Sequence, residues 1–169
     1  MESAIQNTIL ETYTKLNDVF SSFAEDEINI VPFEGSWTGA QTVQHIILAC
    51  SGLPQLFAGK TEKTTREPDE NSKKLDGIFL DFNTKYQSPE NIKPATIEYN
   101  KNDLLASIKK VQTDLFEAAE TYDLTLTCLD AKIPGFENFT IYEWLHFAIV
   151  HSQRHTHQLK SIYEILHKK

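Results

Sequence analysis

Three things are scarce in this sequence, and each scarcity excludes a class of protein. Cysteine occurs only twice, at Cys50 and Cys128, far apart in the chain. With no export signal beside them, two such residues do not make a disulfide framework, and both read as small apolar side chains. No basic neighbour in sequence lowers the pKa of Cys50, which argues against a reactive thiolate there. Positive charge is also short: 16 Lys and Arg face 24 Asp and Glu, for a net charge of −8. Neutralising phosphates takes clustered Lys and Arg, so a nucleic-acid partner is not expected, and the Lys-rich C-terminus is too short to change that. Long apolar runs are missing, and none approaches the roughly 20 residues that a membrane span requires. The opening "MESAIQNTILETYTKLNDVF" is acidic and amphipathic, without the basic start and small-residue cleavage site of a secretory signal. The expectation is a cytoplasmic protein with no membrane partner.

What is present points to helices around one core. A chain of 169 residues with 40% hydrophobic and 24% charged residues is one globular domain of ordinary size. Four segments repeat apolar residues at three and four. The first runs Ile5, Ile9, Tyr13, Leu16, Phe20 and Phe23. The second follows "GSWTGAQ", where Thr38 and Gln41 form a capping-box pattern ahead of Val43, Ile46, Ile47, Cys50 and Phe57. The third runs Leu104, Leu105, Ile108, Val111, Leu115 and Ala118, with Asn102 and Asp103 as candidate caps. The fourth opens with a second capping box, Thr140 with Glu143, across which Phe139 and Trp144 are placed to pack as a hydrophobic staple.

Residues 59 to 100 separate the second and third helices and read mostly as connection, with room for a short helix in "SKKLDGIFLDFNTKY" and a loop at "QSPENIKPA". "LTLTCLDAKIPGF" suggests a brief extended segment before the last helix. No repeat or low-complexity tract interrupts this pattern. The fold class expected is all-α, a four-helix bundle with a long crossover between helices two and three.

The fourth helix raises a chemical question. Its buried stripe should pass through Trp144, Ala148, His151, His155, Leu159, Ile162 and Leu166, so two histidines occupy positions suited to leucine. Burying an imidazole without a partner costs roughly 1 to 3 kcal/mol. Each ring could instead hydrogen-bond to another helix and sit in the core. A pair at i and i+4 offers a second solution, because both project from one face and two imidazoles can converge on a cation. A third ligand is available at His45 on the second helix, at the border of its apolar stripe. That helix is apolar around most of its circumference, so this flank can also face inward.

The segments "IPGFENFTIYEWLHFAIVHSQRHTHQL", "GSWTGAQTVQHI" and "YQSPENIKPA" resemble the DinB-like superfamily of bacterial four-helix proteins. The resemblance implies that a histidine in the helix after a Trp-Ser or Trp-Thr start, with an H-x-x-x-H pair on the last helix, holds a divalent metal. In this chain those ligands are His45, His151 and His155. Zinc and nickel both suit imidazole, and iron is a third candidate. Three nitrogen ligands leave positions open, as a catalytic site requires. The resemblance implies either a hydrolase, with the metal activating water, or an S-transferase that delivers a low-molecular-weight thiol such as bacillithiol or mycothiol to an electrophile. A non-catalytic metal-binding or stress-response protein uses the same three ligands, and a metal-free bundle with hydrogen-bonded histidines is the third reading. The partner expected is a small-molecule substrate, and a homodimer through helix faces is compatible with the pattern.

The remaining polar residues have simpler explanations. Glu143 is accounted for by its capping box, and His146 and His157 lie off the stripe as surface or flank residues. His157 is close enough in sequence to support a ligand. Arg154 reads as a solvated or ion-paired residue, with an anion clamp as the sharper alternative. Trp37, Phe139 and Trp144 read as core and staple aromatics.

Overall fold

The computed structural model describes residues 2–168. It is predominantly helical, with α1 (Glu2–Ser21), α2 (Gly39–Cys50), α3 (Leu53–Phe57), α4 (Ser72–Phe79), α5 (Lys101–Thr121) and α6 (Ile141–His167). Two short strands, β1 (Thr61–Lys63) and β2 (Leu126–Cys128), pair antiparallel with Thr61 opposite Cys128 and Lys63 opposite Leu126.

The long helices form where the apolar spacing places them. Ile5, Ile9, Tyr13, Leu16 and Phe20 are all buried along α1, which packs against α5 and α6. Leu104, Ile108, Val111, Leu115 and Ala118 line the matching face of α5. Helix α2 lies against α5 and α6 on the other side, and the short α4 packs on α6. Helix α6 thus touches α1, α2 and α4, and from Ile141 to Ser152 it is buried almost all round.

Both capping boxes are formed. Thr38 accepts from the Gln41 amide while Gln41 accepts from the Thr38 amide, and Thr140 and Glu143 do the same at the start of α6. The Phe139 and Trp144 rings meet edge to face at 5.2 Å, as a staple requires.

Elsewhere the structure departs from the pattern. The second helix does not run on to Phe57: it stops at Cys50 and a separate α3 follows Gly52. Pro54 has no N–H to offer the Cys50 carbonyl, and its ring would crowd that carbonyl in a continuous helix. Helix α5 is capped by Asn100, whose side chain accepts from the Asp103 amide, not by Asn102 or Asp103. The connection carries the short helix α4 as expected, and in the loop around Pro89 a single 3-10 turn forms at Glu90–Ile92. The extended segment before α6 is β2, and its partner β1 comes from the polar start of the connection. Cys128 in turn donates its amide to the Phe139 carbonyl at 2.8 Å, which holds the entry to α6 in place.

Candidate metal centre

His45, His151 and His155 come together between α2 and α6. Their ring centroids lie 4.5 to 4.8 Å apart, and one nitrogen from each ring falls within 4.8 Å of the others. The border position of His45 on α2 proves to be an inward one, at 3% exposure, and His151 is equally sequestered at 4%. His155 is half-buried. Phe79 and Phe147 wall the His151 ring, at 5.8 and 5.2 Å between centroids.

The hydrogen bonds decide which nitrogens are bare. A carbonyl oxygen can only accept, so His45 Nδ1, 2.8 Å from the Ile92 carbonyl, carries the proton and its Nε2 holds a lone pair. That lone pair faces His151 Nε2 at 3.0 Å. If His151 donates across this gap, its buried Nδ1 is left as a bare acceptor, and it has no partner among the described residues. If His151 carries its proton on Nδ1 instead, two lone pairs oppose each other at 3.0 Å. Hydrogen bonding among the rings therefore satisfies neither tautomer.

His45 and His151 already stand at the spacing of two ligands on one cation, with a nitrogen of His155 within 4.8 Å of both. Metal–nitrogen bonds of about 2.0–2.1 Å place neighbouring ligand nitrogens roughly 2.9 to 3.4 Å apart for angles between square and tetrahedral. The 3.0 Å separation of the two Nε2 atoms lies in that range. His155 directs Nδ1 to the Gln158 side-chain oxygen at 2.9 Å, leaving its Nε2 free in turn.

Burial sets the protonation. Desolvation holds His45 below the ordinary histidine value despite the Ile92 hydrogen bond. It pushes His151 much further down, helped by the neighbouring His155, His45 and Arg154. His155 falls to about 3, chiefly through burial and then through His45. All three rings are neutral at pH 7, the form in which imidazole ligates a metal.

Several residues behave differently from their sequence reading. Glu143 does more than cap: wholly buried, it receives both Nη groups of Arg66 and the Asn71 amide as well as the Thr140 amide. Its lone pairs are spoken for, so it is a structural anchor. Trp37 is half-exposed and stands beside the centre, with its ring 4.9 Å from that of His45, not in the core. Arg154 is half-buried and makes no salt bridge among the described residues; it donates to the carbonyls of Phe79, Asp81 and Thr84. His146 pairs with Asp76 at 2.7 Å, and His157 stacks on Phe82 at 4.2 Å. The support expected from His157 comes from Gln158, which follows His151 by seven and His155 by three, a spacing that places all three on one face. Cys50 and Cys128 are buried, and burial takes both thiols up to about 11.

No curated protein and no solved structure matches the chain. The family model of the DinB superfamily matches residues 8–159, a stretch that contains the three histidines, both capping boxes and the connection between them. The chain belongs to the DinB superfamily.

Proposed function

We propose that His45, His151 and His155 hold one divalent metal ion, and that the protein is a metal-dependent enzyme acting on a small molecule. The observation that carries this reading is the 3.0 Å approach of His45 Nε2 to His151 Nε2, in a place where no arrangement of ring protons satisfies every nitrogen. The reaction is a hydrolysis or the S-transfer of a low-molecular-weight thiol, with bacillithiol as the co-substrate in the second case. Zinc and nickel match the donor set best, with iron next.

When bound, such an ion supplies Lewis acidity, which lowers the pKa of a water or thiol taking up an open position. The chain's own residues orient and shield. The Ile92 carbonyl fixes the His45 tautomer, Gln158 does the same for His155, and Phe79 and Phe147 keep water from His151. The four long helices α1, α2, α5 and α6 read as a four-helix bundle in one cytoplasmic domain, with the crossover between α2 and α5 carrying α4. A homodimer through helix faces is compatible with this arrangement. Among the described residues no helix is long and apolar enough to cross a membrane.

Metal analysis of the protein purified without a histidine tag tests the centre. One equivalent of metal is expected, either as isolated or after reconstitution with zinc or nickel, and a chain that takes up none overturns the reading. His155→Ala should abolish uptake, since two imidazoles hold a divalent ion poorly. Retained metal in that variant would assign the wrong ligands. The loaded protein is then assayed with bacillithiol, glutathione and mycothiol against a generic electrophile, and with ester and amide substrates. Turnover in one arm selects the reaction; inactivity in all of them favours a non-catalytic metal-binding or stress-response protein.

A further inference from the structure

The crossover segment from residue 80 to 95 lies against the histidine centre, and α6 holds it chiefly through Arg154, with the His157 ring stacked on Phe82 beside it. Arg154 donates Nη1–H to the Asp81 carbonyl at 2.7 Å and to the Phe79 carbonyl at 3.4 Å, and Nη2–H to the Thr84 carbonyl. The Tyr86 ring covers the same guanidinium, 5.1 Å from Cζ. At its far end the segment is tied to α2: the Ile92 carbonyl accepts from His45 Nδ1–H at 2.8 Å, and the Ala95 carbonyl accepts from Gln41 Nε2–H at 3.3 Å. Between the ties lies no regular structure except the single turn at Glu90–Ile92.

Helix spacing makes this more than a surface contact. His151, Arg154, His155 and Gln158 recur at three, four and seven, so one face of α6 presents two of the three imidazoles, the support for one of them, and the grip on the crossover. A planar guanidinium is suited to this task because its forked N–H groups reach several carbonyls at once from a fixed geometry.

We propose that Arg154 is a positioning residue for the centre: by strapping residues 80–95 onto α6 it holds the Ile92 carbonyl where His45 needs it. This rests on the three-histidine metal reading above. The sign of the effect separates it from a simple charge effect. A cation beside a divalent-metal site repels the metal, so neutralising Arg154 should tighten binding if charge is all that matters. Loss of the strap does the opposite, because a ligand histidine deprived of its hydrogen-bond acceptor binds metal about 10- to 100-fold less well.

The test uses the full chain, with zinc affinity measured by competition against a chromophoric chelator, and limited trypsinolysis at Lys85. That bond sits between Thr84, held by Arg154, and Tyr86, stacked on it. Arg154→Gln and Arg154→Lys are both expected to weaken zinc binding at least about tenfold, and to speed cleavage after Lys85 several-fold in the metal-free protein. By reciprocity, zinc should slow that cleavage in the parent chain. Unchanged or tighter zinc binding in Arg154→Gln overturns the proposal, as does unchanged cleavage at Lys85, while leaving the metal reading intact. A parent chain that takes up no metal removes both. Should the Arg154 variants fail to fold, Tyr86→Ala at its 56% exposed position carries the test: losing the ring over the guanidinium should weaken zinc binding about threefold, and an unchanged affinity overturns the proposal.

Discussion

Arg66 and Glu143 form a two-pronged ion pair across the crossover, with Nη1 2.7 Å from one carboxylate oxygen and Nη2 2.6 Å from the other. Glu143 is 0% exposed, so its charge depends on this partner and on the Asn71 and Thr140 amides. The pair joins the first turn of α6 to the segment ahead of α4. Arg66→Ala leaves a buried carboxylate uncompensated, and the expected cost is about 3–5 kcal/mol in urea unfolding. A loss below about 1 kcal/mol would place the pair with exposed salt bridges.

Gln158 tests the support of the centre independently of Arg154. Its side-chain oxygen is the acceptor for His155 Nδ1 at 2.9 Å. Replacement by Leu removes that acceptor and keeps the side chain's approximate size. Zinc affinity is expected to fall about 10- to 100-fold with the fold unchanged. Equal affinity in competition titrations would mean that His155 needs no such support.

The buried imidazoles set the pH dependence of the metal-free protein. All three titrate below the unfolded value when folded, His155 at about 3, because burial disfavours the charged ring. As pH falls the unfolded chain therefore binds protons first. Stability should be fully present above about pH 6.5 and decline as pH falls from there toward 3, by at most about 1.4 kcal/mol per pH unit for each histidine. Urea midpoints at pH 7.5, 6.5, 5.5 and 4.5 check the shape, and the same series on His155→Ala should decline less steeply. A flat series down to pH 4.5 would contradict the burial of the rings.

The two cysteines should be chemically silent. Both thiols are buried and raised to about 11 by desolvation, so neither forms appreciable thiolate at pH 8. A disulfide reagent at that pH is expected to label neither until denaturant is added, when both react. Prompt labelling of the native protein would mean that Cys50 or Cys128 is accessible.

How much of this was legible in the sequence depends on the range of each interaction. Both capping boxes and the Phe139–Trp144 staple lie within a few residues, and their local pattern carried through to the structure. The same is true of His151 and His155, because i and i+4 share a helix face whatever surrounds it. His45 was readable as a candidate whose flank of the helix could face inward, but the facing itself is set by how α2 packs against α6. What the sequence concealed was long-range. Arg66 meets Glu143, Ile92 meets His45, and β1 meets β2 only because the crossover folds back over α6, and nothing in a polar tripeptide such as Thr61–Lys63 names its partner strand. Arg154 misled for a related reason: an arginine on a helix suggests a carboxylate, yet here it is matched by three carbonyls at the end of α4 and in the irregular stretch that follows.

Trp37 gives the protein an optical readout of its own. Its indole lies against His45, whereas Trp144, the other tryptophan, is buried at the start of α6 between Phe139 and Phe147. The half-exposed Trp37 should emit at longer wavelength than the enclosed Trp144, so the two signals separate along the spectrum. A paramagnetic ion such as nickel, seated at His45, would dim the red side preferentially, and loading could be followed in real time without any added dye.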